Sequence, residues 1–385
     1  WLKQETVHKP GPARGINLAS GGHTLESGAL ARSMEIALKA TRWYMVGKTP
    51  QEVADAVVSL SNECVATGAK RGEGDYSKLD ERTGDVGRCV QETLARRMMP
   101  NDLLSDVNRI LENDRAKVLK CKGHVVDIHN KNNSGSGCTG CLNGVHNRFQ
   151  FYDACIECGM TPKAAYDLTC LIYGDDSLFV LPPPSVITPL AFAGVIERVT
   201  SSCGLQFKLE ISNPEEPCSF LGRKYPRPLI SPTSALAPVK ALMKLPVQQS
   251  TYEAWVAKMQ GYMVTEHHVP LVADYIRACA RIYKFDCKVG LNPHSLKYTN
   301  FVKSLSQFDR NLKLRATSGV YPYQASRDDN ILEELVSREF QLELGELRKI
   351  RDALHRAKST ADLELIKIYT PGEDVNPIPL GAYLA

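Results

Sequence analysis

No apolar run in this 385-residue chain is long enough to cross a membrane. The nearest stretch, Leu178 to Ile196, is interrupted by Pro182, Pro183, Pro184 and Pro189, whereas a spanning helix needs about 20 consecutive apolar residues. Low-complexity tracts, obvious internal repeats and long charge runs are missing too, as in a globular chain. No secretory leader is visible. The twelve cysteines fit free, mostly buried thiols in a reducing compartment rather than a disulfide framework. Charge imbalance is small, a formal +4, and it is local. Residues 1–50 hold seven Lys and Arg against three Asp and Glu, leaving forty against forty in the remainder. A local basic cluster favours an anion-binding groove over a uniformly basic coat. With 43% hydrophobic residues, the chain can bury one large core or two to three smaller ones.

What is present is most concentrated at Tyr173-Gly174-Asp175-Asp176. Two adjacent carboxylates stand on a tight turn between apolar runs, Leu171-Ile172 before and Leu178-Phe179-Val180-Leu181 after, which predicts a β-hairpin with acid at its tip. Such a tip suits a hard cation, because Mg²⁺ takes one or two protein carboxylates and fills its remaining positions with water and substrate phosphate oxygens. Alone, Gly-Asp-Asp is also an ordinary solvated turn.

About a hundred residues earlier, Thr49-Pro50-Gln51-Glu52 opens a helix with a capping box and Pro at N1, and Gly68 closes it. Gly74-Asp75-Tyr76-Ser77-Lys78-Leu79-Asp80 follows, with Asp75 and Asp80 on or beside the next strand. If that strand lies along the Asp175 hairpin, Asp75 faces the acid pair and completes a two-metal site. Between the two comes Ser134-Gly135-Ser136-Gly137-Cys138-Thr139-Gly140-Cys141-Leu142-Asn143, a Gly/Ser loop feeding a helix that runs to about Gly159. Thr139 and Asn143 are four apart and share a helix face.

An Asp-x4-Asp strand, an SGxxxTxxxN loop and helix, and a YGDD hairpin, in this order, resemble motifs A, B and C of RNA-dependent RNA polymerases of positive-strand RNA viruses, with a motif A closest to the nodavirus-like or tombusvirus-like groups. Trp1 to Ile16, with Lys3, Lys9 and Arg14, resembles the basic motif F. Cys218 to Tyr225, with Leu221, Gly222 and Arg223, resembles the primer-grip motif E. The resemblance implies an α/β right-hand polymerase: partial fingers with motif F at 1–50, a palm with an antiparallel sheet at 51–225 carrying a fingers insertion at about 99–133, and a helical thumb at 226–385. It also implies a segment of a longer replicase.

By that resemblance Asp75 and Asp175 are the main metal ligands, with Asp176 in support, for Mg²⁺ or Mn²⁺. Asp80, Ser134, Gly135, Thr139 and Asn143 receive the nucleotide and its ribose. Lys3, Lys9 and Arg14 neutralise the triphosphate. Leu221, Gly222 and Arg223 form the primer grip, and Lys208 stands near motif D as a candidate proton donor. The implied partners are RNA template and product, NTPs and other replicase components. The implied setting is the host cytoplasm, in a membrane-associated replication complex reached through regions outside this chain. A reverse transcriptase shares the palm but carries a bulky aromatic where motif A here has Leu79 and Asp80. A catalytically silent RNA-binding subunit is the other alternative.

Cys138-x2-Cys141 and Cys155-x2-Cys158 have zinc-ribbon spacing. On one helix, however, Cys138 and Cys155 are about 25 Å apart at 1.5 Å rise per residue, too far to share a metal. Beyond Pro226-Arg227-Pro228 the motifs stop, and helical periodicity continues over Val272 to Phe285 and Ile331 to Lys358.

Overall fold

The computed structural model describes residues 20–115, 118–121, 124–127, 137–246, 252–287, 328–371 and 377–381. The chain divides into two compact units, one of residues 1–46 and 56–216, the other of 47–55 and 217–385.

The first half of the chain opens with α1 (Gly21–Lys39), capped by Ser20, whose Oγ accepts the His23 N–H at 3.3 Å. Helix α2 (Pro50–Thr67) starts as its sequence predicts: the Thr49 hydroxyl accepts the Glu52 N–H at 3.2 Å, and the Glu52 carboxylate accepts the Thr49 N–H at 2.6 Å. Strand β1 (Arg71–Tyr76) leads into the short α3 (Leu79–Arg82), then α4 (Asp85–Met98) and α5 (Leu104–Arg115). A hairpin of β2 (Val118–Cys121) and β3 (His124–Asp127) precedes α6 (Thr139–Glu157) and α7 (Pro162–Asp167). The unit ends with β4 (Cys170–Tyr173), β5 (Asp176–Val180), α8 (Pro189–Ser202) and β6 (Phe207–Ser212).

Four strands form an antiparallel sheet in the order β4-β5-β1-β6. Ser177 to Val180 on β5 are all buried, so this strand is apolar on both faces, as an inner strand covered by helices must be. Helices α6 and α8 pack against the sheet through Phe151, Phe179, Phe192, Ile196 and Phe207, with Phe151 stacked on Phe179 at 4.2 Å between centroids. A second core joins α6 to α1 and α4 through Leu30, Met34, Leu38, Ala95, Leu142 and Val145. Helix α6 is therefore shared by both cores, which explains why nearly all of Cys141 to Phe151 is buried. Arg71 anchors β1 at its start, its guanidinium donating to the Pro214 and Glu216 carbonyls at 2.9 and 2.8 Å and to Ser212 Oγ at 2.9 Å.

His146 on α6 is fully buried, and burial pushes its pKa down from 6.5 to about 4. The unfolded chain takes up this proton near pH 6.5 while the folded one resists it, so stability is full above 6.5 and is lost as pH falls towards 4. The loss expected from this group is about 3 kcal/mol. Denaturant unfolding across pH 4–7 checks it: the His146→Gln variant should show a flatter acid limb than the parent.

The second unit carries a three-stranded sheet of β7 (Cys218–Phe220), β8 (Arg223–Tyr225) and β9 (Ala235–Leu236). Helices α9 (Pro238–Lys244), α10 (Tyr252–Glu266), α11 (Val272–Tyr283), α12 (Asp329–Phe340), α13 (Leu344–Arg356) and α14 (Thr360–Leu365) follow. They share one core that includes Trp255, Met259, Ile276, Leu335 and Leu354. The periodic stretch from Ile331 to Lys358 is two helices, because Gln341 takes a left-handed φ of +55° and Glu343 caps the next. The larger segment of this unit starts at Pro217, so the hairpin resembling motif E belongs with the helices rather than with the four-stranded sheet.

Candidate active site

The β4–β5 hairpin pairs Tyr173 with Asp176, which leaves Gly174 and Asp175 as its two central residues. Gly174 has φ +63°, the turn conformation glycine adopts without steric cost. Asp175 is thereby exposed at the tip and Asp176 is half-buried at the start of β5. Beside them, β1 pairs Gly74 with Ser177, so Asp75 emerges at the same end of the sheet. The approach here is close: a Cβ on Gly74 would lie 2.5 Å from Ser177 Oγ and 2.6 Å from the Phe207 ring. Ser177 Oγ donates to the Gly74 carbonyl at 3.2 Å, tying the two acidic segments together.

The electrostatics reflect that proximity. Burial pushes the Asp75 pKa up, the negative charge of Asp175 adds to the rise, and Lys208, directly across the ladder on β6, partly opposes it. A carboxylate whose pKa is raised by a neighbouring carboxylate gains from a cation between them. Asp75, Asp175 and Asp176 offer carboxylate oxygens, the hard donors that divalent cations prefer. Among the described residues, no group of three or more His, Cys, Asp or Glu is gathered to hold a metal unaided. A site completed by substrate phosphate oxygens is the arrangement this donor set fits.

Beyond β1, Lys78 adopts a left-handed φ of +56° and turns the chain into α3, which carries Asp80. Asn143, 63 positions along, is buried on α6 and donates from Nδ2 to Asp80 Oδ1 at 2.7 Å. Thr139 opens α6 one turn earlier and is half-buried. One turn beyond Asn143, Asn147 is buried and donates from Nδ2 to the carbonyls of Gly174 and Asp175 at 3.2 and 3.3 Å. Helix α6 so holds Asp80 with one amide and the backbone of the acidic turn with the next. Sequence reasoning missed Asn147, although the four-residue spacing from Thr139 and Asn143 points to it. Asn147→Ala is expected to lower turnover about tenfold with little change in substrate KM, since about 1.4 kcal/mol of lost positioning is a factor of ten. Steady-state kinetics of the two forms check this.

Lys208 is 73% exposed and ion-paired with Glu210, whose hydrogen bond pushes the lysine pKa up, with a smaller push from Asp75. In the motif E hairpin, Leu221 and Gly222 form the tip, both with positive φ, and Gly222 is exposed. Arg223 corrects the expectation of a primer-facing arginine. Its guanidinium is buried, donating to Glu266 Oε1 at 2.6 Å, to Ser234 Oγ at 3.1 Å and to the Ser234 carbonyl at 3.2 Å. Those donors are committed inside the second unit, where removing either partner would leave a charge buried and uncompensated. Lys3, Lys9, Arg14, Ser134 and Gly135 lie outside the described residues. Cys138 and Cys158 cap opposite ends of the 19-residue α6, so the two Cys pairs are a helix length apart.

The model of the family described as "Viral RNA-dependent RNA polymerase" matches residues 34–276, well over half of the chain. The chain belongs to the viral RNA-dependent RNA polymerase family. The matched span takes in the four-stranded sheet, α6, the motif E hairpin, α9, α10 and the start of α11. Among curated relatives, the RNA-directed RNA polymerase of greasy grouper nervous necrosis virus is 29% identical over 290 residues, covering 73% of this chain and 28% of the relative. That of Macrobrachium rosenbergii nodavirus is 28% identical over 253 residues, covering 63% and 23%. Of the two subgroups suggested by motif A, the relatives support the nodavirus-like one. The chain spans roughly a quarter of the length of these relatives. The RNA-dependent RNA polymerase of a human picorbirnavirus superposes with a TM-score of 0.53 at 15% identity, covering 85% of this chain and 62% of that one. Its insertion-loop deletion mutant gives 0.52 at 17% identity, covering 88% and 61%. This α/β architecture, with its antiparallel sheet and mainly helical second unit, is the viral polymerase fold.

Proposed function

We propose that this chain carries the catalytic centre of an enzyme that synthesises RNA on an RNA template. An RNA 3′-hydroxyl attacks the α-phosphate of an NTP and pyrophosphate leaves. The observation that carries the reading is the meeting of Asp75 with the Asp175 turn, close enough that Asp175 raises the pKa of Asp75. Two divalent cations, Mg²⁺ or Mn²⁺, would activate the attacking hydroxyl and stabilise the leaving oxygen when bound. Asp75 and Asp175 would hold them, with Asp176 in support. Such phosphoryl chemistry depends on positioning and charge neutralisation, so a rigid acidic turn is the part the protein must supply. Ser177 and Asn147 supply that rigidity from two sides.

Asp80 and Asn143, already joined by a hydrogen bond, would receive the ribose 2′-hydroxyl, with Thr139 beside them. This pair favours ribonucleotides and so disfavours the reverse transcriptase reading. Lys208 would donate the proton to pyrophosphate from its exposed place across the ladder from Asp75. Leu221 and Gly222 would meet the primer through the hairpin backbone. Lys3, Lys9 and Arg14 would neutralise the triphosphate, and Ser134 and Gly135 would line the nucleotide site. We place the enzyme in a replication complex on host cytoplasmic membranes, with template, product and other replicase components as partners. No helix among the described residues is long and apolar enough to cross a membrane.

Incorporation of labelled NTP and dNTP on a primed RNA template tests the reading, with and without Mg²⁺ or Mn²⁺. A full-length relative serves as positive control. Templated, cation-dependent NTP incorporation is expected. RNA binding with no incorporation under conditions where the control is active would instead favour the silent RNA-binding subunit.

A further inference from the structure

In the second unit, the later half of α13 and the chain through α14 line an open pocket of about 570 Å³ that shares no residue with the acidic site. Its apolar part is formed by Ile350, Ala353, Leu365 and Ile366, of which Ile350 and Ile366 are half-buried and Leu365 is 78% exposed. Four exposed cations line the same pocket, Lys349, Arg356, Lys358 and Lys367, against one carboxylate, Asp362. Asp362 is engaged at the start of α14, where it accepts the Lys358 and Ser359 N–H groups at 2.7 and 2.9 Å. Lys367 Nζ donates to the Glu364 carbonyl at 2.8 Å. Among the described residues, Lys349, Arg356 and Lys358 pair with no carboxylate, whereas Arg348 and Arg351 on the same helix both pair with Glu333. Lys349, Ala353 and Arg356 form one stripe of α13, opposite the buried Leu347 and Leu354.

Cations gathered round an apolar surface without counter-ions gain from a partner that is both negative and apolar. Long basic side chains lay their stems along apolar surface and carry the charge to its edge, so the three unpaired cations need not point inward to serve. This is the form of an interfacial membrane contact, in which an exposed leucine enters the headgroup boundary and Lys and Arg meet anionic lipid. A single RNA strand asks instead for a basic groove with aromatic side chains on which its bases stack, and none of the described residues lining this pocket is aromatic. We propose that this pocket docks on an anionic phospholipid surface, with Leu365 entering the headgroup boundary and Lys349, Arg356, Lys358 and Lys367 facing the anionic headgroups. The proposal rests on the membrane placement given above and adds to it a direct contact by this chain. Vesicle binding reads that contact without nucleotide incorporation, so either reading can fail alone.

Flotation of the whole chain with vesicles of phosphatidylcholine alone, and of equal phosphatidylcholine and phosphatidylserine, tests this. Binding to the mixed vesicles, with little to phosphatidylcholine alone, is expected. Lys349→Gln/Arg356→Gln should weaken it by roughly tenfold or more, the scale on which two basic residues act near such a surface. Leu365→Gln should weaken it severalfold with every charge in place, which makes a second, independent variant. All three side chains are exposed, so neither variant opens a core. Lys240→Gln/Arg338→Gln, which removes two exposed cations elsewhere in the second unit, should bind as the parent does. Equal binding to the two vesicle types, undiminished binding by either pocket variant, or the same loss in Lys240→Gln/Arg338→Gln would each overturn the proposal. Weaker binding of a labelled oligouridine by Lys349→Gln/Arg356→Gln, with vesicle binding unchanged, would assign the pocket to RNA instead.

Discussion

Asp75→Asn and Asp175→Asn are each expected to reduce templated NTP incorporation by roughly 10²–10³-fold, the scale on which one preorganised electrostatic partner of a transition state acts. The same two substitutions should leave the fold intact or firmer. Asp75 is held above its ordinary pKa by burial first and by the Asp175 charge second, so the folded chain strains against its own acid cluster. A neutral amide at either position relieves that repulsion, and the melting temperature in cation-free buffer should hold or rise while activity collapses. A carboxyl whose folded pKa is raised destabilises the fold at pH values where it must ionise. Adding Mg²⁺ should raise the melting temperature of the parent and not of the Asp75→Asn/Asp175→Asn double variant, because only the parent offers the carboxylates together. Because the two groups act as one unit, the double variant should lose little more than either single one. Incorporation by Asp175→Asn within tenfold of the parent would remove this aspartate from the metal site.

Much of this centre is legible in the chain because its parts are short-range. Tyr173 to Asp176 spells its own turn, Thr49 and Glu52 spell a helix start, and the span from Thr139 to Gly159 is a helix with a left-handed glycine just past its end. Each depends on neighbours within a few residues, where backbone sterics and local hydrogen bonds decide. What was not legible depends on partners far away in sequence. Arg223 reads as a basic residue on a hairpin facing RNA, and only Glu266, 43 positions on, turns it inward. Asn147 reads as one more polar residue on a buried helix until the Gly174 carbonyl arrives above it. Arg148, next to it, is walled in by Phe151, Tyr166 and the α7 carbonyls. Helix α6 concentrates these surprises because it is packed on two sides, so polar residues along it must either find distant partners or stay unsatisfied.

The Asp80–Asn143 contact leads to the second large effect. An amide that already donates one N–H to a carboxylate at 2.7 Å is fixed in orientation. A 2′-hydroxyl can both give and take a hydrogen bond beside that oriented pair, and a deoxyribose can do neither. Each hydrogen bond lost with the hydroxyl costs about 1–3 kcal/mol, so the intact pair should discriminate ribose from deoxyribose by roughly two orders of magnitude. Asn143→Leu removes the donor and the orienting bond together and keeps a side chain of similar size on a helix that buries this position. The ratio of kcat/KM for NTP over dNTP should then fall by about 10²-fold, with most of the change in the NTP arm, while the affinity for Mg²⁺ is unmoved. Asn143→Asp separates orientation from mere polarity: it keeps the size but sets a second carboxylate against Asp80, and repulsion between them should cut NTP use while discrimination shrinks. A ratio unchanged in Asn143→Leu would mean that the sugar is recognised elsewhere, and the Asp80–Asn143 bond would then be a structural tie between α3 and α6.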